Sequence, residues 1–396
     1  MAGKHSKDGE KRMKYTSYGE DEIPKAFRKE NKEEDEIPKA LRKEIRESET
    51  KMGKKKTKNK KLKIFGRIIL VLVIILAILL GVAYWYLNNK MGKTQKVEIS
   101  DEELGISEEA NRNLSKYRNI AIFGVDSRSD DYGVGNSSGC IIIASINNST
   151  GEIKLISVYR DTYVNIEGHE LDKITHAYSY GEAPLAIKTL NKNLDLNIKE
   201  FVTVNFDSVS EAVDKLGGVK ISVDSEEVKY INGYIDETSK VTGKKANHIT
   251  KAGTYNLDGV QAVAYSRIRY TAGGDYKRTE RMRTVIEAMF AKLKTKSVGQ
   301  INAFADKILP CVYTNLSTGD LLSLVPNMAK YKISESIGWP YDTKGITLDR
   351  WYGVPVTLES NVIKLHKEAF GENDYIPSEN VKNISESIIK KTGYTK

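Results

Sequence analysis

Twenty consecutive residues without a charge, IILVLVIILAILLGVAYWYL from Ile68 to Leu87, set the first constraint on this 396-residue chain. At about 1.5 Å of rise per residue, such a run spans the roughly 30 Å hydrocarbon core of a bilayer. A transmembrane signal anchor is therefore expected over residues 64–87. Basic residues crowd its upstream side in KKKTKNKKLKIFGR (Lys54–Arg67), and Tyr84, Trp85 and Tyr86 sit at its far end. By the positive-inside rule the N-terminus is cytoplasmic and everything after about residue 88 lies outside. The length of the run, its start well inside the chain and the lack of an A-x-A-like site argue against a cleaved signal peptide. The expected localisation is a cell membrane, single-pass, with the C-terminal domain extracellular.

The net charge of +9 resides in the tail rather than in the body. Residues 1–63 hold 21 Lys+Arg and 13 Asp+Glu, whereas residues 68–396 hold 40 of each. A neutral body excludes a generic polyanion-binding domain, so no nucleic-acid partner is expected. The tail, residues 1–63, contains a 14-residue repeat: EDEIPKAFRKE (Glu20–Glu30) returns as EDEIPKALRKE (Glu34–Glu44). Two copies are too few to stack as a solenoid, and this charge density indicates a disordered tail. It reads either as solvated chain or as a docking motif for a cytoplasmic partner, and its polybasic end is expected to contact anionic membrane lipid. The two cysteines, Cys140 and Cys311, leave one disulfide or two buried thiols open.

After a polar linker, residues 88–115, strand and helix signals interleave across residues 116–396. RNIAIFGVD (Arg118–Asp126) reads as a buried strand. CIIIASIN and EIKLISVY are joined by NSTG, a hairpin turn signal. FVTVNFD (Phe201–Asp207) alternates as a strand, SVSEAVDKLGGV reads as a helix closed by Gly217-Gly218, and KISVD as a further strand. LDKITHAYSYGEAPLAIKTLNKNL has helical periodicity interrupted near Gly181 and Pro184. Helices follow at about 257–264 and 276–296. The expected fold is α/β, a mixed central sheet flanked by helices.

Three constellations carry chemistry. In AYSRIRYTAGGDYKRTERMR (Ala264–Arg283), Arg267 and Arg269 share one face of an extended segment. The helix that follows has an apolar stripe, Met282, Val285, Ile286, Met289, Phe290 and Leu293, directed at the core. Arg278 lies about 40° off that stripe near the helix N-terminus, with Arg281 and Arg283 about 100° off on opposite sides. Arg283 reads as a surface charge. Arg278 reads either as part of an anion site with Arg267 and Arg269 or as an ion pair with Asp275. The second constellation is GVDSR (Gly124–Arg128), at a strand end where α/β proteins place binding groups; Asp126 suits a cation and Arg128 a phosphate oxygen. The third is SVYRDTYVNI (Ser157–Ile166), which presents Arg160 and Asp161 abruptly after apolar alternation.

Together, NIAIFGVDSR, KLISVYRDTYVNI, FVTVNFDSVSEAVDKLGGVKISVD and LDGVQAVAYSRIRYTAGGDYKRTERMR resemble, in order, the signature blocks of the LytR–CpsA–Psr (LCP) family. The resemblance is close over about residues 116–297 and looser through GVPVTLESNVIKLHKEAFG. It implies an LCP-type domain and a Gram-positive envelope phosphotransferase. Such an enzyme moves an anionic glycopolymer, teichoic acid or capsule-like, from a polyprenyl-pyrophosphate carrier to peptidoglycan, forming a phosphodiester. The implied pyrophosphate-binding residues are Arg128, Arg160, Arg267, Arg269, Arg278 and Arg281. Asp126 is the implied magnesium ligand, and Asp275 the acid that orients or deprotonates the acceptor, with Arg278 and Arg160 beside it in catalysis. Asp161 and Lys173 fall within the matching blocks, where a structural role serves as well. The family also implies an apolar cavity for the lipid tail.

Two departures stand out. Ser137-Ser138-Gly139 occupies the place of the family's R-S-D, removing an arginine and the second metal carboxylate, and Met282 replaces a glutamine. One carboxylate is a poor magnesium site, since such sites rely on one or two carboxylates plus substrate phosphates. The alternatives are therefore a catalytically weakened carrier-binding or scaffold protein of the same fold, or an envelope regulator acting through its tail.

Overall fold

The computed structural model describes residues 43, 95–96, 101–127, 132–311, 313–316, 324 and 327–395. Contacts divide the chain into Met1–Gly81 and Val82–Lys396. Lys43 aside, the described residues belong to the second unit.

Among them, β1 (Gln95–Lys96), β2 (Tyr117–Val125), β3 (Ser138–Asn147), β4 (Glu152–Val158), β7 (Glu200–Val204), β10 (Tyr313–Thr314) and β11 (Lys332–Trp339) form one mixed sheet. Its order is β1-β10-β7-β2-β3-β4-β11. Three two-stranded sheets stand beside it: β5 (Tyr163–Ile166) with β6 (His169–Lys173), β8 (Val219–Val223) with β9 (Gly253–Leu257), and β12 (Thr343–Thr347) with β13 (Trp351–Pro355). The helices are α1 (Glu108–Asn113), α2 (Ile174–Leu194), α3 (Phe206–Leu216), α4 (Ser225–Thr242), α5 (Gly259–Arg267), α6 (Gly274–Lys294), α7 (Val298–Ile308), α8 (Leu358–Phe370) and α9 (Glu379–Thr392).

The centre of the sheet is an antiparallel meander, β2–β3–β4, with β7 parallel to β2 and β11 parallel to β4. Asn147 turns the chain between β3 and β4 because its Oδ1 accepts from the Ser149 and Thr150 amides at 2.9 and 3.1 Å. Both faces of the meander are covered, which is why its strands read as near-continuous apolar runs. Ala121, Phe123, Val125, Ile141 and Ile143 meet α2, α8 and α9 in the largest core. Ile120, Ile142 and Leu155 point the other way, toward Met282, Ile286 and Phe290 of α6. A third cluster joins α3, α4, α5 and the β8–β9 pair. There α3 and α5 approach so closely that a Cβ at Gly259 would lie 2.1 Å from the Ser210 carbonyl, so only glycine fits at the start of α5.

Local sequence sets the helix ends. Asn205 ends β7 and caps α3 through a reciprocal bond with Ser208, so the strand stops before Phe206 rather than running to Asp207. Gly217 closes α3 at φ 83°. The expected interruption of α2 falls at Gly181 and Glu182, which leave helical geometry. Leu104, in the short turn before α1, and Leu114, just after it, belong to the main core, so packing begins ahead of residue 116. Both cysteines are free thiols.

The transmembrane part of the expected architecture is corrected. No helix among the described residues is long and apolar enough to cross a membrane. The run 68–87 and the repeat tail (Lys43 apart) lie outside the described residues. The single-pass topology and the localisation inferred from it therefore do not stand.

Candidate active site

The apolar stripe of α6 packs on the sheet in part and leaves a gap over the rest. Between them lies a cavity of about 380 Å³ walled by Ile122, Val202 and Val204 of the sheet, with α3, α5 and α7 completing it. All six stripe residues predicted on α6, from Met282 to Leu293, line this space. A continuous apolar lining of this volume is a binding cavity rather than a packing defect. At one end it reaches Gly124 and Cys140 on adjacent strands. Burial pushes the Cys140 thiol up to about 12, so it stays protonated at neutral pH.

Beside that end the cations gather. Arg278, 3% exposed, sends Nη2 to the Gly139 carbonyl at 3.2 Å and to Asp275 Oδ1 at 2.8 Å. Its Nε is buried without a partner. Arg160 approaches from the end of β4, with Nη1 3.5 Å from where a Cβ of Gly139 would stand. A guanidinium thus stands within contact range of position 139. Arg269 is exposed, its Nε 3.9 Å from Asp275 Oδ1. Asp275 therefore sits among three arginines, yet burial, with the nearby Asp161 carboxylate, holds its pKa above the usual carboxylate range against Arg269, Arg160 and Lys173. Lys173 pairs with Asp161 at 2.7 Å.

Other expected ligands point elsewhere. Arg267 bonds Thr238 Oγ1 at 3.1 Å and Glu237 at 2.9 Å and lies over the Phe206 ring, a cavity residue, at 5.0 Å. Arg281 is buried against Glu227 at 2.7 Å, and also donates to the Ile268 carbonyl and Thr271 Oγ1 at 3.0 and 2.8 Å. It braces the segment between α5 and α6 rather than facing the cluster. Arg283 is not on the surface: it is 8% exposed, with Nη1 3.3 Å from the Ile337 carbonyl, because α6 lies across β11 as well. Arg128 lies outside the described residues. Glu227 was missed from sequence, although the Asp224–Glu227 capping box that begins α4 was there to be seen.

The place expected for magnesium offers the Asp126 carboxylate but a glycine at position 139. Asp126 is exposed at the end of β2, and the neighbouring strand offers Gly139, with the Arg160 guanidinium close to that position. Among the described residues no three His, Cys, Asp or Glu side chains stand together in a metal-binding group.

The comparison with known proteins decides the family. The family model described as LytR_cpsA_psr matches residues 82–348. The chain belongs to the LytR–CpsA–Psr family of cell-envelope glycopolymer transferases. It is 30% identical over 308 residues to the polyisoprenyl-teichoic acid–peptidoglycan teichoic acid transferase TagT of Bacillus subtilis (strain 168), covering 76% of this chain and 92% of that protein. It is 30% identical over 270 residues to TagU of Enterococcus faecalis (strain ATCC 700802 / V583), a protein of the same described activity, covering 66% and 82%. A solved structure of TagT bound to LIIa-WTA aligns with a TM-score of 0.50 at 25% identity, covering 76% of this chain and 96% of that one. Bacillus subtilis TagV aligns at 0.52 and 23% identity, covering 66% and 99%, a likeness of fold. Within this LytR–CpsA–Psr chain, Gly139 adjoins the cavity residue Cys140 and accepts from Arg278, and Met282 stands in the cavity wall.

Proposed function

We propose that this chain transfers an anionic glycopolymer, teichoic acid or capsule-like, from a polyprenyl-pyrophosphate carrier to a peptidoglycan hydroxyl. The observation that carries the reading is the junction of two chemistries: buried and half-buried arginines stand at the polar end of an apolar cavity. The cavity takes part of the polyprenyl chain, and Arg160 and Arg278 take the pyrophosphate oxygens. Guanidinium forks suit such oxygens because each can bind two of them at once. The acceptor oxygen attacks the phosphorus that bears the glycan. The bond from that phosphorus to the bridging oxygen breaks, polyprenyl phosphate leaves, and a phosphodiester remains. Asp275 orients the acceptor hydroxyl and receives its proton. Phosphoryl transfer asks a protein mainly for position and charge neutralisation, and the arginines supply the second without a metal. Extraction of the purified protein followed by mass spectrometry tests the cavity's role: a stoichiometric polyprenyl phosphate or pyrophosphate is expected, and an empty protein that also fails to take up added carrier contradicts it.

The raised Asp275 pKa fixes a sign. A carboxylate that accepts a proton works only when ionised, so the rate is full above its pKa and falls as pH drops through it. The acid limb of the pH–rate profile is expected above the ordinary aspartate value of about 3.9, and Asp275→Asn removes that limb along with most of the rate. An acid limb unchanged in Asp275→Asn would assign it to another group.

Gly139 favours one second reading, a carrier-binding protein of the same fold with little turnover. It differs from the first in retaining carrier while transferring no glycan.

A further inference from the structure

The family match ends at residue 348, between the two strands of the β12–β13 hairpin, and this hairpin carries a built aromatic surface. Gly345 and Gly353 pair directly across its two strands. Trp351 lies over both: a Cβ at Gly345 would meet the indole Nε1 at 2.8 Å, and one at Gly353 would meet Cη2 at 3.6 Å. Two paired glycines leave a floor without side chains, and the indole rests on it. With its inner side on that floor and 46% of its surface exposed, it presents its other side to solvent.

The indole's position gives that surface a use. Trp351 lines a small cavity of about 30 Å³ together with Asp275, Tyr276 and Thr343. Tyr276 is 39% exposed, its ring edge-on to Tyr159 at 4.4 Å and its hydroxyl 3.1 Å from Thr343 Oγ1. That contact ties the start of α6 to the hairpin. The order across the site is then apolar cavity, Gly139 with Arg278 and Arg160, Asp275, and finally Tyr276 and Trp351. Asp275 thus touches both groups, pairing with Arg278 and lining the small cavity with Tyr276 and Trp351.

We propose that Trp351, walled by Tyr276, is the platform on which a pyranose ring of the acceptor glycan stacks, placing its hydroxyl at Asp275. The C–H face of a pyranose is apolar and flat enough to pack on an indole, while its rim hydroxyls remain free for carboxylates and hydroxyls. The inference rests on the transferase reading, and Trp351 is here a substrate-positioning group.

The test uses the full chain and its Trp351→Ala, Trp351→Phe and Gly345→Ala variants. Transfer is measured against varied acceptor (uncrosslinked peptidoglycan glycan fragments) and varied polyprenyl-pyrophosphate-linked donor. Trp351→Ala is expected to raise the acceptor KM about tenfold, the effect of one lost aromatic anchor, with donor KM and kcat within about twofold. Trp351→Phe keeps a flat ring and recovers most of the loss. Gly345→Ala keeps the tryptophan but forces the indole off its floor, so an intermediate acceptor KM is expected without any loss of the aromatic side chain. An unchanged acceptor KM in Trp351→Ala overturns the proposal, and so does a raised donor KM, which would assign the platform to the donor glycan. Tryptophan fluorescence with a β-1,4-linked N-acetylglucosamine tetrasaccharide separates this inference from the transferase reading. Quenching in the native protein that is lost in Trp351→Phe supports the platform even where no transfer occurs, and no quenching overturns it.

Discussion

Replacing Arg278 with alanine is expected to lower the transfer rate by about 10²–10³-fold, the scale of losing one preorganised donor at a site of developing charge. The guanidinium is 3% exposed and fixed from two sides, by the Gly139 carbonyl and by Asp275, so its position is set before any substrate arrives. Its removal also leaves Asp275 without its 2.8 Å partner, and burial then raises that carboxyl further. The acid limb of the pH–rate profile should therefore move upward in whatever activity remains. Arg278→Lys keeps the charge but not the planar fork, and is expected to recover no more than about tenfold of the loss. Single-turnover rates at saturating donor check this. A loss below about threefold in Arg278→Ala would remove Arg278 from the chemistry and leave it as a structural partner of Asp275.

Glu227→Ala is expected to destabilise the fold by about 3–5 kcal/mol, because it strands the Arg281 guanidinium in the interior. Both side chains are almost wholly buried, at 5% and 8% exposure. The same bond links α4 to α6, and Arg281 continues to Ile268 and Thr271 in the connection that carries Arg269 toward Asp275. Thermal unfolding should show a midpoint lowered by about 5–15 °C. Activity well below that midpoint should also fall, since the segment loses its brace. Glu227→Leu combined with Arg281→Met is expected to cost less than the two single changes together, as a buried pair replaced by apolar groups often does. A midpoint within about 2 °C of the native value in Glu227→Ala would show the pair to be solvated.

Much of this architecture was legible because local chemistry and packing agree. The meander β2–β4 could be read from apolar runs and the NSTG turn, since both faces of those strands are covered and Asn147 closes the turn on itself. The α6 stripe was legible in direction but not in consequence. A period of 3.6 tells which way Met282, Val285 and Ile286 point; it does not tell whether the sheet opposite them is in contact or a cavity's width away. Arg283 was misread for a related reason. An angle of about 100° from the stripe is surface only if a single neighbour covers the helix, and here β11 covers the other flank too.

The site divides the same way. Spacing placed Arg278 beside Asp275, three residues apart on one helix, and the pair forms as that geometry allows. It could not tell that Arg281 turns to Glu227, some fifty residues away, because that partner depends on how α4 docks on α6. The glycine floor beneath Trp351 was equally hidden, since it exists only in the register of β12 on β13. The substitution at position 139 was visible as a lost carboxylate, but the guanidinium that Arg160 brings there is visible only in three dimensions.

The central claim is that arginines at the end of an apolar cavity transfer a glycopolymer without help from a second metal carboxylate. The most direct measurement mixes the purified protein with a polyprenyl-pyrophosphate-linked glycan and peptidoglycan fragments, in chelator and in magnesium, and follows glycan joined to peptidoglycan by a phosphodiester. The account predicts transfer in both, at rates within about threefold of one another, as charge supplied by fixed guanidinium groups requires. Transfer in magnesium that chelator abolishes, or no transfer in either condition by a protein with carrier bound, would contradict it.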